Sequence, residues 1–212
     1  VMTEQEFFKN LQEKTETVFY QSEIYRKNKD RKWYYSICNG PILRFKPIIF
    51  GLNWGVSNDP NYEGHKAQKT YPENIDQNTW KFKSHVNTYL IKYFGYSFDE
   101  VNYSNQCFFR TTNEKFLSYQ DWRDSIALFR EYVQYINPPY LIMLGRPRHL
   151  NNDELKDYRK IAYLPLGSKR RSFVRLGTLF DKYTFGSVPH SSAHISPDTH
   201  DELWKILKEN LK

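Results

Sequence analysis

The run Pro47-Ile48-Ile49-Phe50-Gly51-Leu52-Asn53-Trp54-Gly55 constrains the fold more than any other stretch of this chain. Its apolar half is too short for a helix and is bounded by Pro and Gly, the pattern of a strand covered on both faces in a parallel sheet. In open parallel sheets ligands sit beyond the carboxyl ends of the strands. The polar break at Asn53 therefore falls where chemistry is expected, although an asparagine beside glycine also makes a plain turn.

The rest of the chain alternates helical and extended patterns. Phe7, Phe8, Leu11, Val18 and Phe19 predict an amphipathic helix from Thr3 to Tyr20, with Thr3 and Glu6 as a capping box. A long polar segment follows the first strand, from Val56 to Asn78. Helical periodicity returns from Trp80 to Phe94 and stops at Gly95. A second strand is expected over Val101 to Phe108, a helix from Trp122 to Ile136 ahead of Pro138-Pro139, and a third strand at Tyr140 to Gly145. A short helix is expected across Asp153 to Ile161, an extended stretch from Phe173 to Val188, and a closing helix through Leu203, Ile206, Leu207 and Leu211. This order predicts an α/β fold of three α/β/α layers around a short, parallel, four-stranded sheet. One domain spanning 1–212 is expected, with 1–46 as a helical extension packed on it.

With 212 residues and no apolar run near the roughly twenty that a membrane span needs, a cytoplasmic, monomeric protein is the expectation. The start, Val1 to Gln5, lacks a basic-then-apolar signal pattern. Cys38 and Cys107 have no paired spacing and are expected as buried reduced thiols. The net charge of +7, with basic residues interleaved among aromatics, points to an anionic partner such as nucleic acid. No phosphate-binding glycine loop, GxGxxG fingerprint or paired-histidine zinc motif is present, so no metal and no cofactor is expected.

Two further polar loops join Asn53 on the expected sheet edge: Tyr103 to Thr112 after the second strand, and Val188-Pro189-His190-Ser191-Ser192-Ala193-His194-Ile195-Ser196 after the last. In these loops the chain resembles the uracil-DNA glycosylase superfamily, most closely its mismatch-specific thymine/uracil branch. Gly51-Leu52-Asn53-Trp54-Gly55 resembles that branch's G-I-N-P-G loop, and Tyr71-Pro72 followed by Trp80 its Y-P then F-W stretch. Asn105 to Ser118 resembles its T-N...R-T-T...L-S segment. Pro189 to His194 is similar to its P-S-S-S-A-R loop, while His190-Ser191-Ser192 also resembles the H-P-S loop of the uracil-specific branch. The chain departs from the pattern at Trp54, where proline is usual, at His190 and His194, which replace serine and arginine, and in a spacing one residue longer between Asn105 and Arg110.

The resemblance implies hydrolysis of the N-glycosidic bond of uracil, mismatched thymine or a modified pyrimidine in DNA during base excision repair. Asn53 would hold the attacking water and His190 would donate to the departing base, the two catalytic roles. Gly51, Leu52, Trp54 and Gly55 would shape the pocket, Tyr71 would stack on the base, and Asn105 would read its edge. An amide offers both a donor and an acceptor, which suits the adjacent N–H and C=O of uracil. His194 would fill the vacated stack, and Ser191, Ser192, Lys169, Arg170, Arg171 and Arg175 would hold DNA phosphates. Three other readings remain open: a non-catalytic nucleic-acid-binding protein of the same fold, an enzyme of free nucleosides, and a metal-dependent nuclease drawing on the scattered Asp59, Asp153, Asp198 and Asp201.

Overall fold

The computed structural model describes residues 2–56, 66–75, 81–166 and 170–211, without the side chains of 81, 164–166, 170 and 171. Asp59, Trp80, Lys169 and most of the polar segment after the first strand lie outside the described residues.

The chain opens with helix α1 (Glu4–Gln21), and both arms of the Thr3/Glu6 capping box form. Such a cap satisfies amide groups that the first turn leaves unpaired. The short α2 (Glu23–Lys27) starts at once from Ser22. Strand β1 (Ile48–Gly55) follows, then α3 (Lys81–Tyr89), which continues into a π-helical turn over Leu90–Phe94. Strand β2 (Asn102–Thr111) leads to α4 (Tyr119–Ile136), closed by Asn137 in the left-handed conformation ahead of the two prolines. The remaining elements are β3 (Leu141–Leu144), β4 (Leu155–Leu166), β5 (Arg170–Leu179), β6 (Tyr183–Val188) and α5 (Pro197–Asn210). No described helix is long and apolar enough to cross a membrane.

The fold is α/β, but the sheet differs from expectation. It has six strands in the order β2-β1-β3-β6-β5-β4, parallel through β2, β1, β3 and β6 and antiparallel across β6, β5 and β4. The four-stranded parallel sheet is thus only one part of a mixed sheet. The difference has two sources: residues 155–161 form the start of β4 instead of a helix, and the extended stretch expected from Phe173 to Val188 is two antiparallel strands, β5 and β6, joined by a turn over 180–182. Leu155, Tyr158 and Ile161 recur every three residues, as on a helix. Two bulges produce this spacing, one between Lys156 and Arg159 and one between Lys160 and Ala162, each of which inserts one extra residue opposite β5.

Alternation in β1 and β3 buries both faces. Ile48, Phe50, Leu141 and Met143 face a core shared with α1 and α4, whereas Ile49, Ile142 and Leu144 face one shared with α3 and α5. Asp121 joins the opening helices to α4: one carboxylate oxygen accepts from Ser118 N–H at 2.8 Å and the other from Glu23 N–H at 2.9 Å. The outer edge of β2 is covered by 34–39, through Tyr35 opposite Phe109 and Cys38 opposite Ser104, so its backbone groups are not left open to another chain. Both cysteines are buried free thiols, pushed up to about 12 by burial.

Phe50 lies at the centre of the first core, its ring 5.0 Å from that of Phe129 and 5.8 Å from that of Phe185. Phe50→Ala is expected to cost about 3–5 kcal/mol. A lower urea midpoint with an unchanged denaturant slope is the expected readout.

Candidate active site

Because β2, β1, β3 and β6 are parallel, their carboxyl ends meet on one edge, and the chain leaves β1 toward β2 on one side and returns to β3 on the other. At this switch point a cavity of 590 Å³ opens, lined by Gly51 to Val56, Leu144-Gly145, Phe82, Tyr103, Asn105, Arg110 and His190. A larger cleft of 670 Å³ between α1 and α4 lies away from the strand ends and takes no part in this convergence.

Asn53 is held by both hydrogens of its amide. Nδ2 donates to Trp54 O at 3.1 Å and to Thr111 Oγ1 at 2.9 Å, and Thr111 Oγ1 spends its own hydrogen on Asn113 O at 2.9 Å. A carbonyl only accepts, so the nitrogen must face Trp54 O and the amide cannot be reversed. Oδ1 is left as an acceptor with no donor among the described residues. The local backbone supports this: the pairing of β1 with β2 jumps from Asn53 opposite Cys107 to Trp54 opposite Arg110, a bulge at the site itself.

Asn105 is buried in mid-strand opposite Gly51. A Cβ on Gly51 would sit 2.5 Å from Asn105 Oδ1, so only glycine leaves room for this amide. Burial raises the pKa of the Tyr103 phenol, and Asn105 beside it only partly offsets the rise, so the phenol stays neutral. His190, half-buried after β6, accepts at Nδ1 from Ser192 N–H at 3.1 Å. Nδ1 is therefore unprotonated and Nε2 carries the hydrogen. Burial, and then the nearby His85, lowers the His190 pKa, so the ring is a neutral donor. It stacks on Phe82 at 5.5 Å.

Trp54 lines the cavity beside Asn53, its buried indole edge-on to Tyr103 at 5.5 Å and the Arg110 guanidinium 5.4 Å from its centre. No carboxylate lines the cavity among the described residues, and no three His, Cys, Asp or Glu side chains there form a group that could hold a metal ion. Asp201 of the scattered aspartates pairs with Lys92 at 2.6 Å.

Asn53, Asn105, His190, Gly51, Leu52, Trp54 and Gly55 thus share one cavity. Tyr71 does not: its ring meets Phe8 edge-on at 5.6 Å and its oxygen accepts from Ile42 N–H at 2.9 Å, so the first core holds it. Ser192 is turned toward His190, its Oγ 2.8 Å from Nδ1, which makes it a positioning residue. Ser191 is half-buried and His194 exposed on the same turn. Arg170 and Arg171 begin β5 opposite Leu166 and Pro165. Arg175 is only 8% exposed and lines a smaller cleft beside the main cavity. Thr111, Tyr103, Phe82 and Arg110 were not singled out as site residues. Only the Arg110-Thr111-Thr112 match hinted at any of them.

Compared with protein-family models and with curated proteins, the chain matches none. Its functional reading therefore rests on this geometry.

A histidine pair lies near the His190 loop. His200 on α5 is buried, its ring 4.5 Å from that of His85. Burial, and then His85, lowers its pKa from 6.5 to about 4. The unfolded chain binds this proton more readily than the folded one, so the contribution to stability is complete above about pH 6.5 and falls as the pH drops toward about 4. At about 1.4 kcal/mol per pKa unit the loss is on the order of 3 kcal/mol. Urea titrations between pH 7 and 4 should show this decline, and His200→Gln should flatten it.

Proposed function

We propose that this chain is a monofunctional DNA glycosylase that hydrolyses the N-glycosidic bond of uracil, or of a mismatched thymine or modified pyrimidine, in DNA. The observation that carries the reading is the pairing in one cavity of an orientation-fixed acceptor, Asn53 Oδ1, with a neutral donor, His190 Nε2–H, and no carboxylate among the described residues that line it.

Breaking this bond develops positive charge on the sugar and negative charge on the leaving base. Asn53 Oδ1 accepts from a water and aims it at the anomeric carbon. An amide is a poor base, so the nucleobase leaves with the electron pair of the glycosidic bond, the water bonds to the strongly electrophilic sugar carbon and then gives its proton to bulk solvent, and orientation supplies the acceleration. His190 Nε2–H donates to a carbonyl oxygen of the base as charge gathers there. A neutral imidazole suits this position because an imidazolium would repel the developing sugar cation. Asn105, buried opposite Gly51 and beside the Tyr103 phenol, offers a donor and an acceptor to the pyrimidine edge. Phe82 and Trp54, in place of Tyr71, supply the aromatic faces. Exposed His194 is suited to fill the vacated stack, at an extrusion cost of a few kcal/mol.

A non-catalytic nucleic-acid-binding protein is the second reading, favoured by the bulk of Trp54 beside Asn53. Single-turnover incubation in chelator with a uracil oligonucleotide, followed by alkali cleavage at abasic sites, separates the two. Base release is expected from the wild type, reduced about 10²- to 10³-fold in His190→Ala and by about 10² in Asn53→Ala. Thr111→Val should lose less than Asn53→Ala, because it frees the amide without removing it. Binding with no release by the wild type would favour the second reading.

A further inference from the structure

A second, smaller cleft of 170 Å³ adjoins the main cavity, lined by Gly145, Arg146, Ser172, Phe173, Arg175 and Pro189. Gly145 borders both spaces, its φ of +115° requires glycine, and a Cβ there would meet nothing within 4 Å. No side chain therefore closes off the two spaces from each other at this point.

The cleft holds a charge without a counter-charge. Arg175 is 8% exposed, and its guanidinium lies 4.8 Å from the centre of the Phe173 ring. Buried arginines are ordinarily paired with an anion. Elsewhere in this chain Arg123 and Arg130 share Glu154, and Arg148 pairs with Glu114. Neither Arg175 nor Arg146 has a carboxylate partner among the described residues. Burial is the main influence that disfavours the Arg175 charge, and the neighbouring Arg146 adds to it. Ser172, also buried, brings a hydroxyl to the same wall. Two guanidinium forks and a hydroxyl around a small space match a tetrahedral oxyanion.

We infer that Arg146, Ser172 and Arg175 form a phosphate site that holds the backbone of the strand whose base occupies the main cavity. The choice of a polynucleotide phosphate over other phosphates rests on the glycosylase reading. The cleft sits at the carboxyl-end edge where that base would enter, and Pro189, on its rim, directly precedes His190. Seating a phosphate here sets the sugar of the same nucleotide relative to Asn53. The arginines thus serve register as well as affinity.

The test is binding, read independently of turnover. In ¹⁵N-labelled protein the Arg146 and Arg175 Nε–H resonances are followed during titration with inorganic phosphate, a thymidine oligonucleotide, and the same oligonucleotide with neutral methylphosphonate linkages. Both resonances are expected to shift saturably with the natural oligonucleotide and not with the neutral one. Arg146→Gln, a change at an exposed position, should lower the log-log salt slope of oligonucleotide binding by about 0.7. Unmoved resonances, or an unchanged slope in Arg146→Gln, would overturn the proposal. So would saturation by inorganic phosphate with no response to the oligonucleotide. Binding at this cleft without base release would defeat the glycosylase reading alone. Base release with both resonances unmoved would defeat the phosphate site alone.

Discussion

The parallel pairing of β1 between β2 and β3 is the constraint on which the rest of the structure depends. It sends three chain ends to the same edge and opens a crevice where the chain turns from one neighbour to the other. The pairing works at the site because Gly51 has no side chain: Asn105 on the adjacent strand occupies the space a Cβ would need. The same strand then breaks register at Asn53, and the bulge brings Thr111 within reach of the Asn53 amide. Backbone geometry in two neighbouring strands thereby fixes two side-chain amides at once.

Electrical neutrality follows from how these groups are held. Asn53 and Asn105 are amides, Tyr103 is a buried phenol, and His190 is a neutral imidazole whose tautomer is set by Ser192 N–H. Arg110 brings a positive charge to the cavity wall, over Trp54, and Arg146 and Arg175 bring two more to the adjoining cleft. For the hydrolysis proposed above, such a site would act by orientation and by dipoles placed where charge develops, not by transferring a proton to a strong base.

Much of this was legible in the sequence. The apolar runs at Ile48 to Phe50 and Leu141 to Leu144 marked strands buried on both faces, and helical spacing located α1, α4 and α5. Asn53, Asn105 and His190 fall in segments that a parallel sheet brings to one edge, although the first two lie within β1 and β2 and not in the loops expected of them. The antiparallel half of the sheet was not legible, because two bulges gave β4 the three-residue spacing of a helix. Tyr71 drew attention through its neighbour Pro72, yet the core packing of Phe8 and the Ile42 amide claim it. Phe82 and Ser172 carry no local signal, and Thr111 has only its place in the Arg110-Thr111-Thr112 match. Their roles arise only when strands and helices distant in sequence meet.

The account requires His190 to be neutral, with its hydrogen on Nε2. Nitrogen-15 NMR of histidine-labelled protein, with His190 assigned through His190→Gln, tests this directly. The expected result at neutral pH is an unprotonated Nδ1 and a protonated Nε2, with the imidazolium forming at a lower pH than for an ordinary histidine. A hydrogen on Nδ1, or an imidazolium persisting at neutral pH, would contradict the account.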